Sequence, residues 1–149
     1  MKTIIILIIT ITLSYVTFGQ KNNIDKRKET IKAERIAFIT SKIDLTPAEA
    51  QKFWPVYNEY INKQEDIMMQ KRKNMRNFIK NQDNLTDKQT QDIIDKLILL
   101  KRQECNLFED YNKKIEQILP IKKVALLYHS EKQFKRYLMK KMQSKKRHN

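Results

Sequence analysis

Leu45-Thr46-Pro47-Ala48-Glu49 and Leu85-Thr86-Asp87-Lys88-Gln89 are the two stretches that decide the fold. In each, a threonine at the cap position can accept a hydrogen bond from a free amide of the first helical turn. The Glu or Gln three residues later can accept one from the threonine amide, which completes a capping box. Pro47 also suits the first helical position. The two motifs therefore predict the starts of two helices.

The apolar periodicity on either side of these starts predicts four helices and no strands. Asn81 to Asn84 is the predicted turn between the second and third helices, and Pro120 separates the third from the fourth. Pro55 lies inside the second helix and predicts a kink there. The predicted helices are residues 26–43, 47–80, 87–118 and 121–142.

The second and third helices are predicted to form an antiparallel hairpin. In such a hairpin, the position numbers of any two facing residues add up to the same value. The two apolar stripes face each other when this value is 168. Half of it is 84, so the centre of the hairpin is Asn84, within the predicted turn. Gln64 and Glu104 face each other at this register, so they are expected to be hydrogen-bond partners. The predicted apolar pairs are Met75 with Ile93, Met68 with Leu100, Ile61 with Leu107, Tyr60 with Phe108, Tyr57 with Tyr111, and Phe53 with Ile115.

The expected fold is all-α: an elongated antiparallel helical hairpin with the first and fourth helices flanking it. Gly19 is the only glycine, and sheets with tight hairpins depend on glycine. The sequence predicts a single helical domain over residues 26–143, preceded by a loose segment at 20–25 and followed by a basic tail at 144–149.

Residues 1–19 have the pattern of a cleavable secretory signal peptide. Lys2 precedes an apolar run, and Thr17 and Gly19 are small residues before a cleavage point at Gln20. An uncleaved membrane anchor is the alternative, but a spanning helix needs about 20 apolar residues, more than this run provides. We therefore expect export to the periplasm.

The charge balance is strongly basic, with 31 Lys and Arg against 17 Asp and Glu. Removal of the leader, which holds only Lys2, changes the net charge from +14 to +13. Such a chain attracts anions over a long range. For an exported protein this favours acidic proteins, lipid headgroups or envelope glycans over nucleic acid.

Some apolar residues exceed what one hairpin seam can bury. The side chains of Leu97 to Leu100 cover most of the helix circumference. Some of them must therefore pack against a second neighbouring element or bind a partner. Packing against the outer helices, dimerisation and client binding are all open explanations. Basic residues surround these positions. The candidate contact residues for a client or partner are Met69, Arg72, Lys73, Arg76, Lys80, Ile98 and Leu99.

Residues with catalytic or metal-binding chemistry are scattered. His129 and His148 have no paired-ligand spacing with Cys105, the only cysteine. Cys105 is either a small apolar residue on a helix flank or the site of an intermolecular disulfide. We expect no enzyme activity, no cofactor and no metal site.

The two capping motifs resemble the LTxxQ signature of the Spy/CpxP family, with Glu49 replacing the glutamine in the first copy. Residues 32–38 and the stretch Phe53-Trp54-Pro55-Val56-Tyr57 are similar to the Bacteroidetes-type variant, some of whose members are labelled sensors of ECF-type sigma factors. The resemblance implies a cradle-shaped helical dimer that binds unfolded clients without ATP, or an envelope regulator.

The leading hypothesis is an ATP-independent periplasmic holdase of the envelope stress response, with partly unfolded envelope proteins as clients and a homodimer as the assembly. The alternative is a periplasmic sensor or regulatory module that binds one specific signalling partner, such as the periplasmic domain of a membrane sensor. No nucleic-acid partner is expected.

Overall fold

The computed structural model describes residues 26–147, with side chains for residues 26–144. All regular structure in this part of the chain is helical, so the all-α prediction is confirmed. A short 3₁₀ helix, Gln82–Asn84, forms the turn between the second and third α-helices. The α-helices are α1 (residues 26–43), α2 (Pro47–Asn81), α3 (Asp87–Glu116) and α4 (Ile121–Arg147).

Both capping boxes form as the sequence predicts. The Thr46 Oγ1 accepts from the Glu49 amide at 3.2 Å, and the Glu49 Oε2 accepts from the Thr46 amide at 2.9 Å. At the start of α3, Thr86 and Gln89 make the same two bonds at 3.3 and 2.9 Å. Asp44, between α1 and α2, has a φ of 51°, in the left-handed region where short polar side chains are tolerated.

Two helix ends differ from the predicted ones. α3 ends at Glu116, two residues early, because the Ile118 amide bonds to the Ile115 carbonyl in a tighter turn before Pro120. α4 continues to Arg147, so residues 144–147 are helical rather than a frayed tail. No Gly or Pro follows Ile121 to stop this helix, and cationic residues near a helix C-terminus favour it through the helix dipole.

Several predictions fall outside the described residues: the signal peptide at 1–19, the loose segment at 20–25, and the last two residues of the tail. None of the helices within residues 26–147 combines the length and apolar character needed to cross a membrane.

The chain divides into two packing units, and α4 contributes to both. The first unit contains α1 and the part of α4 from Leu127 onward. Phe38 of α1 lies 5.5 Å from Phe134 of α4, measured between ring centroids. The Arg35 guanidinium lies 5.6 Å from the centre of the Phe134 ring, and Lys42 lies 5.7 Å from that of Phe38. These two cations therefore lie along aromatic surface, as snorkelling side chains do.

The second unit, Leu45–Leu126, is built on the antiparallel α2–α3 hairpin. The rings of Tyr57 and Tyr111 lie 6.3 Å apart and those of Tyr60 and Phe108 lie 6.4 Å apart. Both are predicted pairs, so the register is confirmed at these two positions. The buried residues of the hairpin are Phe53, Tyr57, Tyr60, Ile93, Leu100, Tyr111 and Ile115.

The predicted Gln64–Glu104 pair is wrong. The Gln64 Nε2 donates to the Tyr60 hydroxyl at 2.9 Å, within its own helix. Glu104 instead accepts a 2.6 Å hydrogen bond from the Lys71 Nζ across the hairpin. The carboxylate pairs with the cation because a charge-assisted hydrogen bond is stronger than one to a neutral amide.

Loss of a cap hydroxyl is expected to destabilise the protein measurably. Thr46→Ala and Thr86→Ala should each lower the free energy of unfolding by about 1 kcal/mol, since each leaves a first-turn amide without its acceptor. Urea denaturation measures this. Thr30→Ala is the control, because the Thr30 hydroxyl donates to the Lys26 carbonyl within α1 and accepts from no first-turn amide in a capping box. Cap variants as stable as this control would contradict the assignment.

Candidate functional site

Several large apolar residues beside the contact between α2 and α3 are exposed. Met68 and Met75, predicted to lie in the core, are 42% and 40% exposed, and Phe108 is 41% exposed. The prediction that these three residues are buried is therefore wrong. The reason is geometric: two helices alone share one line of contact, and a residue beside that line is covered on one side only.

The contact line itself is visible in the burial pattern. On α2 it runs through Ile67, Lys71, Asn74 and Phe78, all half-buried. On α3 it runs through the buried Ile93 and Leu100 and the half-buried Leu97, Glu104 and Leu107. Each helix turns by about 100° per residue, so positions one before and one after this line point to opposite sides of the hairpin.

One side of the hairpin is apolar. Six large apolar residues there each follow a contact-line residue by one position, and each is at least 40% exposed. In an antiparallel pair of right-handed helices these positions turn to the same side, so they form one surface, which we call the apolar face. Its residues are Met68, Met75 and Ile79 of α2 and Ile94, Ile98 and Phe108 of α3.

The opposite side of the hairpin carries a basic groove. Gln70, Lys73, Asn77 and Lys96 each precede a contact-line residue by one position, and they line a groove of about 510 Å³. We call this the basic groove. Its complete lining is Gln70, Lys73, Asn74, Arg76, Asn77, Lys80 and Lys96.

The candidate client or partner residues that the sequence predicts as one group lie on different sides of the hairpin. Lys73, Arg76 and Lys80 line the basic groove. Ile98 belongs to the apolar face, and Arg72, one position after Lys71, lies at the edge of that face.

The remaining two residues of that group belong to neither set. Leu99, one position before Leu100, is exposed on the side of the groove but does not line it. Met69 is 59% exposed and points away from α3.

Sequence reasoning missed most of the apolar face. The spacing of Met68, Met75 and Phe108 matches the seam and so assigns them to the core. The signal that could have identified them is the identity of Lys71 and Asn74, polar residues on the contact line itself. Where the contact line contains such polar residues, it cannot also enclose the apolar residues beside it.

The acidic residues of the hairpin are engaged in structural contacts. The hydrogen bond from Lys71 holds the pKa of Glu104 below its usual value, against the opposing effect of partial burial. At the start of α2, the Lys123 Nζ donates to Glu49 at 2.7 Å. That bond and the Thr46 amide hold the pKa of Glu49 below its usual value as well.

Other reactive side chains do not form a site in the described residues. No group of three or more His, Cys, Asp and Glu side chains between residues 26 and 144 is close enough together to hold a metal ion. Cys105 is a free, exposed thiol. It follows Glu104 by one position and so lies on the side of the apolar face.

These features define an all-α protein built on a capped helical hairpin with an apolar face and a basic groove on opposite sides. Comparisons of the chain with known protein families, with curated proteins and with solved structures found no match. The resemblance to the Spy/CpxP family therefore depends on the two capping motifs and on residues 32–38 and 53–57.

The Lys71–Glu104 pair should make the hairpin sensitive to acid. A carboxyl with a lowered pKa contributes stability that is complete above its unfolded value, near 4.5, and is lost as the pH falls through the folded value. Glu104→Gln should lower the free energy of unfolding at neutral pH by about 1 kcal/mol and flatten its dependence on pH below 4.5. Urea denaturation at several pH values measures both effects.

Glu109→Gln is the matched control, because Glu109 is an exposed residue on the same helix. If the two variants gave identical pH profiles, the Lys71–Glu104 contact would contribute nothing to stability.

Proposed function

We propose that this protein is an ATP-independent holdase of the bacterial cell envelope that shields apolar segments of partly unfolded proteins. The observation that carries the proposal is the apolar face: six large apolar side chains, each at least 40% exposed, on one side of a helical hairpin. Contiguous exposed apolar surface on a folded chain is typical of a surface that binds a partner.

The composition of the apolar face suits partners of variable sequence. Met68 and Met75 are unbranched and polarizable, so they can adapt to differently shaped apolar groups. Surfaces rich in methionine can repack against many partners, which is the requirement for a promiscuous binder.

Charge would assist the capture of acidic clients. The net charge of +13 that remains after removal of the leader would draw anionic chains toward the protein and raise the rate of encounter. Arg72 and Lys101 each follow a contact-line residue by one position, so they border the apolar face and can bind carboxylates beside an apolar client segment.

The cellular setting of the proposal comes from the sequence. The leader at residues 1–19 favours export to the periplasm, where nucleotide is absent and a chaperone must act by binding alone. The resemblance to the Spy/CpxP family supports the same role and a homodimeric assembly. The proposed clients are unfolded or partly folded envelope proteins, and the proposal assigns no catalysis and no cofactor.

A client-aggregation assay tests the holdase directly. The mature chain, at a stoichiometric ratio and without nucleotide, should suppress the light scattering of a chemically denatured acidic protein. A Met68→Ser, Ile98→Ser, Phe108→Ser variant should lose most of this suppression, because fully removing a large apolar side chain from a contact costs about 1.5–3 kcal/mol of transfer free energy.

The control variant removes three exposed apolar residues that lie outside the apolar face. Met69→Ser, Leu99→Ser and Ile121→Ser change side chains that are 59%, 44% and 67% exposed, and suppression should remain. Circular dichroism checks that both triple variants are folded. Equal loss in the two variants, or no suppression by the unmodified chain, would contradict the proposal.

A pull-down from envelope extract separates the holdase from the regulatory alternative. A spread of partly unfolded proteins retained through the apolar face supports the holdase. A single stoichiometric partner, retained equally by a protein with an intact and a substituted apolar face, would instead identify a sensor or regulatory module.

A further inference from the structure

The basic groove has a composition unlike the rest of the hairpin surface. Four of its seven lining residues are cations, the other three are amides, and none is acidic. Gln70, Lys73, Asn77 and Lys80 recur at spacings of three or four residues, so they form one stripe along α2. The groove thus presents positive charge and amide groups together on one side of the hairpin.

The cations of the groove are not neutralised within the described part of the chain. Elsewhere, Lys71, Lys123 and Lys141 each bind a glutamate at 2.5–2.7 Å. The ion pairs of residues 26–144 include none of the four groove cations, Lys73, Arg76, Lys80 and Lys96. Four uncompensated charges around one groove are a site for anions.

Two of the three amides of the groove make hydrogen bonds within the hairpin. The Asn74 Nδ2 donates to the Ile93 carbonyl at 2.8 Å, which fixes this side chain against α3. The Asn77 Oδ1 accepts from the Asn81 Nδ2 at 2.8 Å. With its oxygen engaged, Asn77 presents its Nδ2 as a hydrogen-bond donor. A ligand that accepts several hydrogen bonds and carries negative charge matches this arrangement.

We infer that the basic groove docks the hairpin onto a membrane surface by binding the phosphate groups of anionic phospholipids. A phosphate supplies the charge and the acceptor oxygens that the lysines, the arginine and the amides require. This role is separate from client binding, because the groove and the apolar face lie on opposite sides of the hairpin.

The lining of the basic groove favours a phosphate surface over an acidic polypeptide as the occupant. None of its seven lining residues is apolar, so the groove offers no contact for the nonpolar side chains that a polypeptide carries beside its carboxylates. A surface of anionic headgroups presents charge and acceptor oxygens, which cations and amides bind.

Overall charge density does not explain a preference for this groove. Residues 70–96 contain seven basic and four acidic residues, whereas residues 128–143 of α4 contain five basic residues and one acidic residue. A membrane that sensed only local net charge would therefore prefer α4. A preference for the hairpin end would reflect the arrangement of the groove.

Co-sedimentation with lipid vesicles tests the inference with a charge-matched pair of variants. Lys73→Gln, Arg76→Gln and Lys80→Gln remove three groove cations, and Lys132→Gln, Arg136→Gln and Lys140→Gln remove two lysines and one arginine from α4. The mature chain should bind vesicles of three parts phosphatidylcholine to one part phosphatidylglycerol, and should not bind phosphatidylcholine alone.

The groove variant should lower the partition coefficient by roughly fivefold for each cation removed, or about a hundredfold in total. The α4 variant should lower it by less than about threefold, since it removes the same number of charges but leaves the basic groove intact. All six residues are exposed, so both variants should fold, and circular dichroism verifies this.

Two results would overturn the inference. Equal losses in the two variants would mean that the whole basic chain, rather than the groove, attracts the membrane. If the groove variant lost binding to polyglutamate but kept its vesicle partitioning, the ligand of the groove would be an acidic polypeptide. Neither result affects the aggregation assay, so failure of the membrane inference and failure of the holdase proposal remain distinguishable.

Discussion

The single line of contact between α2 and α3 is the constraint on which the rest of the second unit depends. A hairpin of two helices buries one narrow stripe from each, and large side chains beside that stripe remain in contact with water. Near Tyr57 and Tyr111 the contact is filled by aromatic rings, one pair T-shaped and one pair stacked. Nearer the turn it contains Lys71 and Asn74, and the apolar residues beside them are exposed.

This constraint produces the division of the hairpin into two functional sides. The residues that follow the contact line by one position include methionine, isoleucine and phenylalanine. The residues that precede it by one position include lysine, asparagine and glutamine. In the sequence, the residues of the two sides are found before and after one contact-line residue, as Lys73 and Met75 are around Asn74, and Lys96 and Ile98 are around Leu97. We propose that one side binds apolar segments of clients, and we infer separately that the other docks onto anionic phospholipids.

Local chemistry made most of the fold predictable. The capping boxes at Thr46 and Thr86 involve residues three positions apart, and such short-range devices form wherever the helix begins. The register at Tyr57–Tyr111 was also predictable, because two stripes of fixed spacing and a turn at Asn84 leave one alignment. The end of α4 was not, since Ser144 to Arg147 contain neither a residue that forbids a helix nor one that marks its end.

The candidate site was harder to predict, for a physical reason. Hydrophobic periodicity identifies which side of a helix meets a partner, but it does not show how many partners cover that side. Met68 and Phe108 match the seam by spacing, and only the packed structure shows water on one side of them. Similarly, the register alone predicts that Gln64 and Glu104 are partners. The ion pair that Glu104 forms with Lys71 instead depends on side-chain length and charge.

Methionine oxidation measures most directly whether the apolar face is exposed in the folded, client-free protein, on which the proposed role depends. Peroxide modifies methionines that solvent can reach, and mass spectrometry gives the rate at each position. Met68 and Met75 should oxidise at rates close to that of Met69, which is exposed on the outer side of α2. If Met68 and Met75 were strongly protected while Met69 reacted freely, the apolar face would already be covered in the free protein, and it could not be the surface that captures clients.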